Sequence, residues 1–167
     1  MSATLQFPQR ERLSAVDSAK LLRQALKTHF PATKFSVTLD RGTAYGCASV
    51  RWTDGPTVRL VDTIVDPFSG EGFDGSIDCA YHIDTNIANG QRSGLRLIST
   101  SREISYCLAV KAAAKVADYF GVPTPTITDC GHYWRVENDK HMVGAFNEYW
   151  STMIHRAASD ASQYNRD

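Results

Sequence analysis

The chain has 167 residues, 43% of them hydrophobic and 22% charged, enough for one globular domain with a real core and too ordinary for a disordered or fibrous class. Lys+Arg and Asp+Glu balance at 18 each, so net charge selects neither a nucleic acid nor a membrane surface as partner. The start, MSATLQFPQRER, is polar and has no apolar stretch of the kind that directs secretion, and no apolar run approaches the roughly 20 residues of a membrane span; the expectation is a cytoplasmic protein.

Residues 1–13 read as a flexible arm. At Ser14 the pattern sharpens, because Ser14-x-x-Asp17 resembles a capping box. Val16, Ala19, Leu22, Leu26 and Phe30 then recur at helical spacing, opposite a stripe of Lys20, Arg23 and Lys27, and Pro31 ends the run. In KFSVTL, Phe35, Val37 and Leu39 alternate with polar residues, as in a half-buried strand. CASVRW alternates again, with Ala48, Val50 and Trp52 on one side, and pairs antiparallel with the first strand. Asp54-Gly55 is a favoured hairpin pair, but Pro56 is poorly tolerated at the start of a return strand. Proline suits the first turn of a helix instead. The expectation is a strand-to-helix corner, with a helix from Pro56 and an apolar face of Val58, Val61, Val65 and Phe68.

Glycines at 70, 72 and 75 then predict a loop carrying Glu71 and Asp74. SIDCAYHI reads as a third strand, with Ile77, Cys79, Tyr81 and Ile83 alternating, and LRLIST as a fourth. Thr100-x-x-Glu103 reads as the cap of the next helix, whose stripe is Ile104, Leu108, Ala112, Val116 and Phe120 and whose end is Gly121 and Pro123. A β-like segment around TITDCGHYWRV leads to a last helix near 140–157, with an apolar face that includes Met142, Phe146, Tyr149, Trp150, Met153 and Ile154. Residues 158–167 read as a flexible tail. The fold class is α+β: one domain over 14–157, with a small, mostly antiparallel sheet of about four strands covered by three or four helices.

The segments LLRQALKTHFPATKFSV, VRWTDGPT, GFDGSIDCAYHID and STSREIS, in that order over roughly residues 17–106, resemble the large polyvalent protein-associated domains of phages, plasmids and conjugative elements. The resemblance implies an α-β-β-α-β-β-α core and a mobile-element origin. It implies no catalytic mechanism. For a module that stands alone, it implies a counter-defence role, such as inhibition of a CRISPR-type or restriction-type complex.

The residues themselves offer several chemistries. No P-loop, G-x-S-x-G, H-E-x-x-H or Rossmann pattern is present. His82 and Asp84 share a strand face and with Asp78 form a weak acid–base or metal group, or else a solvated face. Cys107 near a helix start is either a nucleophile or a packed thiol. Arg102-Glu103 is the most suggestive polar pair, though Glu103 already has the expected capping role. DCGH, Asp129 to His132, reads as a polar turn and not as half a zinc site. The four cysteines lack any C-x-x-C pair and read as reduced, mostly buried thiols. No catalytic residue, metal or cofactor is assigned.

Charge is less even along the chain than in total. Residues 60–91 carry six acidic and no basic side chains, so like charges accumulate unless a partner or a neighbour compensates them. Asp62, Asp66, Glu71, Asp74, Asp78 and Asp84 are therefore the candidate partner-binding residues, fitting a defence complex whose basic surface serves nucleic acid. The competing expectation is that Arg51, Arg59 and Arg92 neutralise them. Lys20, Arg23 and Lys27 are the candidate residues of the alternative, a nucleic-acid-binding or processing module acting on incoming DNA. The pI near 7.0 lacks the basic excess usual for that class.

Overall fold

A computed structural model describes residues 10–87, 90–139, 142–143 and 148–160. Helix α1 spans Ala15–His29. Ser14 caps it: its Oγ accepts from the Asp17 N–H at 3.0 Å and donates to the Asp17 carboxylate at 2.7 Å. The buried face is Ala15, Ser18, Ala19, Leu22 and Leu26, while Val16 is exposed. The helix is rotated from the expected stripe because Gly94 lies against its start. The Gly94 N–H donates to the buried Ser18 Oγ at 2.8 Å, and a Cβ at 94 would overlap the Leu13 carbonyl. The expected arm is also tied down at its end, for the Leu13 N–H donates to the Arg92 carbonyl and the Arg92 N–H donates to the Glu11 carbonyl. Residues 1–9 of that arm, and 161–167 of the expected tail, lie outside the described residues.

Strand β1, Ser36–Leu39, pairs antiparallel with β2, Ala48–Thr53, and Ala48, Val50 and Trp52 all face inward as their alternation required. Strand β5, Ile98–Glu103, completes a three-stranded sheet of order β1-β2-β5. The Ala48 N–H donates to Leu97 and the Asp54 N–H to Glu103. Both positions advance by the same number of residues, so β5 runs parallel to β2, which requires the long crossover between them.

That crossover holds helix α2, Val58–Val65, a short 3₁₀ turn at Asp66–Phe68, and a hairpin of β3, Glu71–Asp74, with β4, Cys79–His82. The corner before α2 is as expected, but the helix begins two residues after Pro56. As a helix cap, Gly55 would accept the first helical hydrogen bond; its carbonyl instead accepts from Arg102 at 3.1 Å. Asp54 and Gly55 both take the left-handed conformation, at φ 55° and 60°, which Asp tolerates and Gly accepts freely. Val58 is exposed, and Val61, Val65 and Phe68 are buried.

Helix α3 spans Tyr106–Phe120. Its cap is Ser105, whose Oγ accepts from the Leu108 N–H at 3.2 Å. Thr100 and Glu103, expected to cap it, are held extended in β5 by the pairing with β2. Gly121 closes the helix at φ 65°. Strands β6, Ile127–Asp129, and β7, Trp134–Val136, form a hairpin whose turn is the polar DCGH segment. Strands β8, Met142–Val143, and β9, Glu148–Tyr149, pair next, and α4 runs from Trp150 to Ser159. The last helix therefore starts ten residues later than expected and takes in two residues of the expected tail. Met142 lies on a strand, Tyr149 is exposed, and Phe146 is outside the described residues.

The α+β class holds. The span expected to form one domain falls into two compact units, one comprising Met1–Trp52 and Arg59–Ser101, the other Thr53–Val58 and Arg102–Asp167. Each has its own core. The first is built on Leu22, Leu26, Val50, Trp52, Val61, Val65 and Leu95. The second is built on Ala109, Ala112, Ala113, Val116, Trp150, Met153 and Ile154. Among the described residues no helix is long and apolar enough to cross a membrane.

Candidate functional site

Two places carry chemistry, one in each unit. In the first unit it is the β3–β4 hairpin and its surroundings. The residues expected on a glycine-rich loop are a strand, because Gly70 and Glu71 donate their N–H groups to Leu95 and Arg96 while Gly70 accepts from Ile83. Gly72 serves close approach, since the Tyr81 ring crosses the space a Cβ would fill. All four residues of β4 are exposed. Phe73, Ile77 and Tyr81 stand 59%, 69% and 55% accessible. The alternation of Ile77, Cys79, Tyr81 and Ile83 therefore marks a strand but buries none of them.

The six acidic residues do not form one uniform set. Glu71 is on β3 and pairs with Arg96 at 2.9 Å; that charged hydrogen bond holds its carboxyl below the usual range. Asp84 follows β4 and pairs with Arg92 at 2.8 Å and, at longer range, Arg10. Asp74 ends β3, where its carboxylate accepts from the Ser76 N–H and Oγ, which lowers its pKa. Asp78 stands in the hairpin turn at φ 51° and not on a strand face shared with Asp84. Asp62, on α2, accepts from the Thr100 hydroxyl at 2.8 Å. Asp66, four residues on, has its pKa raised by desolvation and then by the Asp62 charge. Of the three arginines expected to neutralise this set, Arg92 does so; Arg51 and Arg59 form none of these ion pairs, and Arg96 and Arg10 take their place. Asp66, Asp74 and Asp78 pair with no cation among the described residues.

The basic stripe of α1 is partly committed to the fold. Arg23 donates to the Val37 carbonyl at 2.7 Å, and Lys20 pairs with Asp17 at 2.9 Å. Lys27 is exposed in the last turn. His82 is exposed on β4 directly across from Glu71.

In the second unit Arg102 is the organising residue. Its guanidinium donates to the carbonyls of Asp54, Gly55 and Ala158 at 3.0–3.1 Å. Burial lowers its pKa, against an opposing effect of Asp54. The Asp54 carboxylate in turn accepts from the Ser105 N–H at 2.8 Å, just before α3. So the Asp54-Gly55 corner and the start of α3 are one construction, and Arg102 is a clamp on it. Glu103 beside it is exposed.

A cleft of about 960 Å³ opens beside this construction, within the size range of ligand sites. The first turn of α3, the β6–β7 hairpin and α4 line it, with Cys107, His132, Tyr133, Trp134 and His155 among its walls. Trp134 is fixed by donating its Nε1–H to the Ile104 carbonyl at 2.8 Å. The His155 ring lies on it, with centroids 5.0 Å apart. Burial pulls the His155 pKa down, toward the neutral imidazole. Cys107 and Cys79 are exposed, and Cys47 and Cys130 half-buried, so the expectation of mostly buried thiols fails. At Cys107 the reason is its place in an open first helical turn; at Cys79 it is a strand whose side chains are all exposed. The cleft was not legible in the sequence, because its walls come from segments as far apart in the chain as Thr53 and His155.

A family model described as Large polyvalent protein associated domain 29 matches residues 13–105, more than half of the chain. No curated protein and no solved structure matches.

Proposed function

We propose a counter-defence function from the premise that this chain belongs to the Large polyvalent protein associated domain 29 family, a family associated with phages and other mobile elements. On this reading the protein acts in the cytoplasm of the infected or recipient bacterium. It binds a CRISPR-type or restriction-type complex and inhibits it by occupancy, with no reaction required. The observation that carries the reading is the β3–β4 hairpin. A two-stranded hairpin has little stability of its own in water, yet this one exposes Phe73, Ile77 and Tyr81 together with Asp74 and Asp78. Aromatic residues are enriched at the centres of protein interfaces. Acidic residues around them suit a partner whose Lys and Arg rows normally hold nucleic acid, and complementary charge speeds encounter. Asp66 extends the same character beyond the hairpin. Glu71 and Asp84, already paired with arginines, contribute less than Asp66, Asp74 and Asp78. The alternative nucleic-acid role of Lys20, Arg23 and Lys27 is weakened by the intramolecular partners of the first two.

The test is interference in a defence-competent bacterium, read as the transformation efficiency of a targeted plasmid. The wild-type chain should raise it. The double variant Phe73→Ser with Tyr81→Ser should lose that effect while keeping its circular dichroism spectrum. The purified complex should also associate more slowly as salt is added. If the wild type leaves interference unchanged, or copurifies with nucleic acid and no stoichiometric protein, the occupancy reading is rejected.

A further inference from the structure

The strand edges of the first unit are treated unequally, and the inequality points to a contact that the occupancy reading neither uses nor requires. In an antiparallel pair the N–H and C=O groups of alternate residues face the partner strand, and the rest face away. Asp40 donates its N–H to Cys47, so in β1 the backbone groups of Val37 face away from β2. That edge is blunted, because the Arg23 guanidinium donates to the Val37 carbonyl at 2.7 Å. In the β3–β4 hairpin Ile83 donates to Gly70, so the backbone groups of Cys79, Tyr81 and Ile83 face β3 while those of Ala80 and His82 face outward. Among the described residues the N–H groups of Ala80 and His82 have no acceptor. Of the two carbonyls only that of Ala80 is touched, by the Cys79 thiol at 3.5 Å. Exposed edges are usually protected by Lys, Pro or a bulge, and β4, with the residues Cys79, Ala80, Tyr81 and His82, has none of these.

The edge is also cleared of its largest side chain. The Tyr81 ring leans inward across Gly72, into space that a Cβ there would fill, and so away from the outer side of β4. Outward from Tyr81 the chain is matched in pairs, the apolar Cys79 and Ile83 and then Asp78 and Asp84. Two copies of such a strand laid antiparallel, with Tyr81 opposite Tyr81, bring Ala80 opposite His82 on both sides of the two-fold axis. Every open N–H and C=O of the edge then meets its counterpart, and Cys79 lies beside Ile83 of the other copy. The charges agree with that register. Asp78 pairs with no cation among the described residues, and it falls beside Asp84 of the other copy. That single carboxylate has two arginines near it, Arg92 at 2.8 Å and Arg10 at 4.0 Å, so positive charge is in excess there. A register shifted to set Ala80 against Ala80 would put His82 against Asp78, whose φ of 51° takes it off the strand, and would leave His82 unpaired.

We propose that β4 is a self-association edge, through which two copies of this chain pair antiparallel about a two-fold axis at Tyr81 and join their hairpins into one four-stranded sheet. The occupant is a second copy, and not a strand of another protein, because the edge complements itself in hydrogen bonds, apolar side chains and charge at one and the same register. An isologous contact of this kind closes on itself and does not propagate into a fibre. It also answers the weakness of a lone hairpin, since a sheet of three or more strands has a stability that a pair lacks. The contact is small, so the dimer belongs to the weak, reversible class. On one face of the joined sheet the two Tyr81 rings stand side by side. Phe73 pairs with Ala80 on the other face and stays uncovered. The pairing therefore leaves Phe73 and Ile77 open to a different protein, and dimerisation and occupancy stand or fall separately.

The experiment is sedimentation velocity on the purified full-length protein, with no other protein present. Over about a hundredfold in concentration, starting at low micromolar as suits so small an interface, the weight-average mass should rise from the 18.5 kDa of one chain toward twice that value. Oxidative cross-linking in a Cys79→Ser background reads the register. Opposed residues that do not bond each other's backbones lie close enough for a disulfide, so Tyr81→Cys should give a link between the two copies of position 81, found by peptide mapping. Ala80→Cys should give at least about tenfold less of the corresponding link, because the two copies of position 80 are diagonal neighbours beyond disulfide reach. Ala80→Pro removes an N–H that faces away from β3, so the circular dichroism spectrum should persist while the association is lost. The proposal is overturned by a mass that stays at one chain throughout, or by a monomer that takes up a different protein along this edge. It is overturned equally if position 80 cross-links as readily as position 81, or if association survives in a folded Ala80→Pro protein.

Discussion

The two units solve the same packing problem with opposite materials. The first fills its core with large side chains, Leu22, Leu26, Trp52, Phe68 and Leu95, gathered from a helix, a sheet and a loop. The second lines α3 with Ala109, Ala112, Ala113 and Ala117, and sets Trp150, Met153 and Ile154 of α4 against them. Small residues let two helices come close, so most of the burial is supplied by one helix and the space by the other. A core of large residues is vulnerable to deletion. A core of alanines is vulnerable to insertion, because close-packed interiors have no room for added methylenes.

The largest expected effect tests the first half of that contrast. Leu26 is fully buried, and Leu26→Ala should cost about 3 kcal/mol, the transfer term plus a residual cavity. Urea titration gives the loss, and hydrogen exchange should show α1, β1 and β2 losing protection before α3 and α4. Equal loss in both units would mean that they unfold as one. The second half is tested by Ala113→Leu, which should cost about 2 kcal/mol by overpacking. If that substitution is neutral, the α3–α4 packing is looser than its burial implies.

A smaller effect belongs to the corner. Gly55 holds φ 60° directly after Asp54, also left-handed, and Gly55→Val should destabilise by about 1.5 kcal/mol through backbone strain. Thermal melting checks it, with Gly75→Ala as a reference position at ordinary φ and with only one side-chain atom near a new Cβ. A Gly55→Val protein that melts with the wild type would refute the strained corner.

The smallest effect is electrostatic and confined to the first unit. The hydrogen bond from Arg96 holds the Glu71 carboxyl below its ordinary 4.5. Its contribution is therefore present above that pH and is lost as pH falls through the lowered folded value. Glu71→Gln should flatten this acid limb by less than about 1 kcal/mol, as expected for a pair near the surface. Stability measured from neutral pH downward would show an unchanged limb if the pair contributes nothing.

The sequence by itself determined the local elements. Ser14-x-x-Asp17 capped α1, the alternation through Ala48, Val50 and Trp52 set the inward face of β2, and Gly121 closed α3, because caps, pleats and left-handed turns are decided by neighbours a few residues apart. The family was legible for a similar reason: its signature is a string of such local motifs. Only the tertiary structure decided that Gly72 belongs to a strand crossed by Tyr81, that Ser105 and not Thr100 caps α3, and that Arg92, Arg96 and Arg10 neutralise Glu71 and Asp84 while leaving Asp66, Asp74 and Asp78 open. It alone brought Cys107 and His155 to one cleft and turned Arg102 onto the Asp54-Gly55 corner. Each of these depends on contacts between segments distant in the chain, and a hydrogen bond or an ion pair across such a distance leaves no periodicity along it.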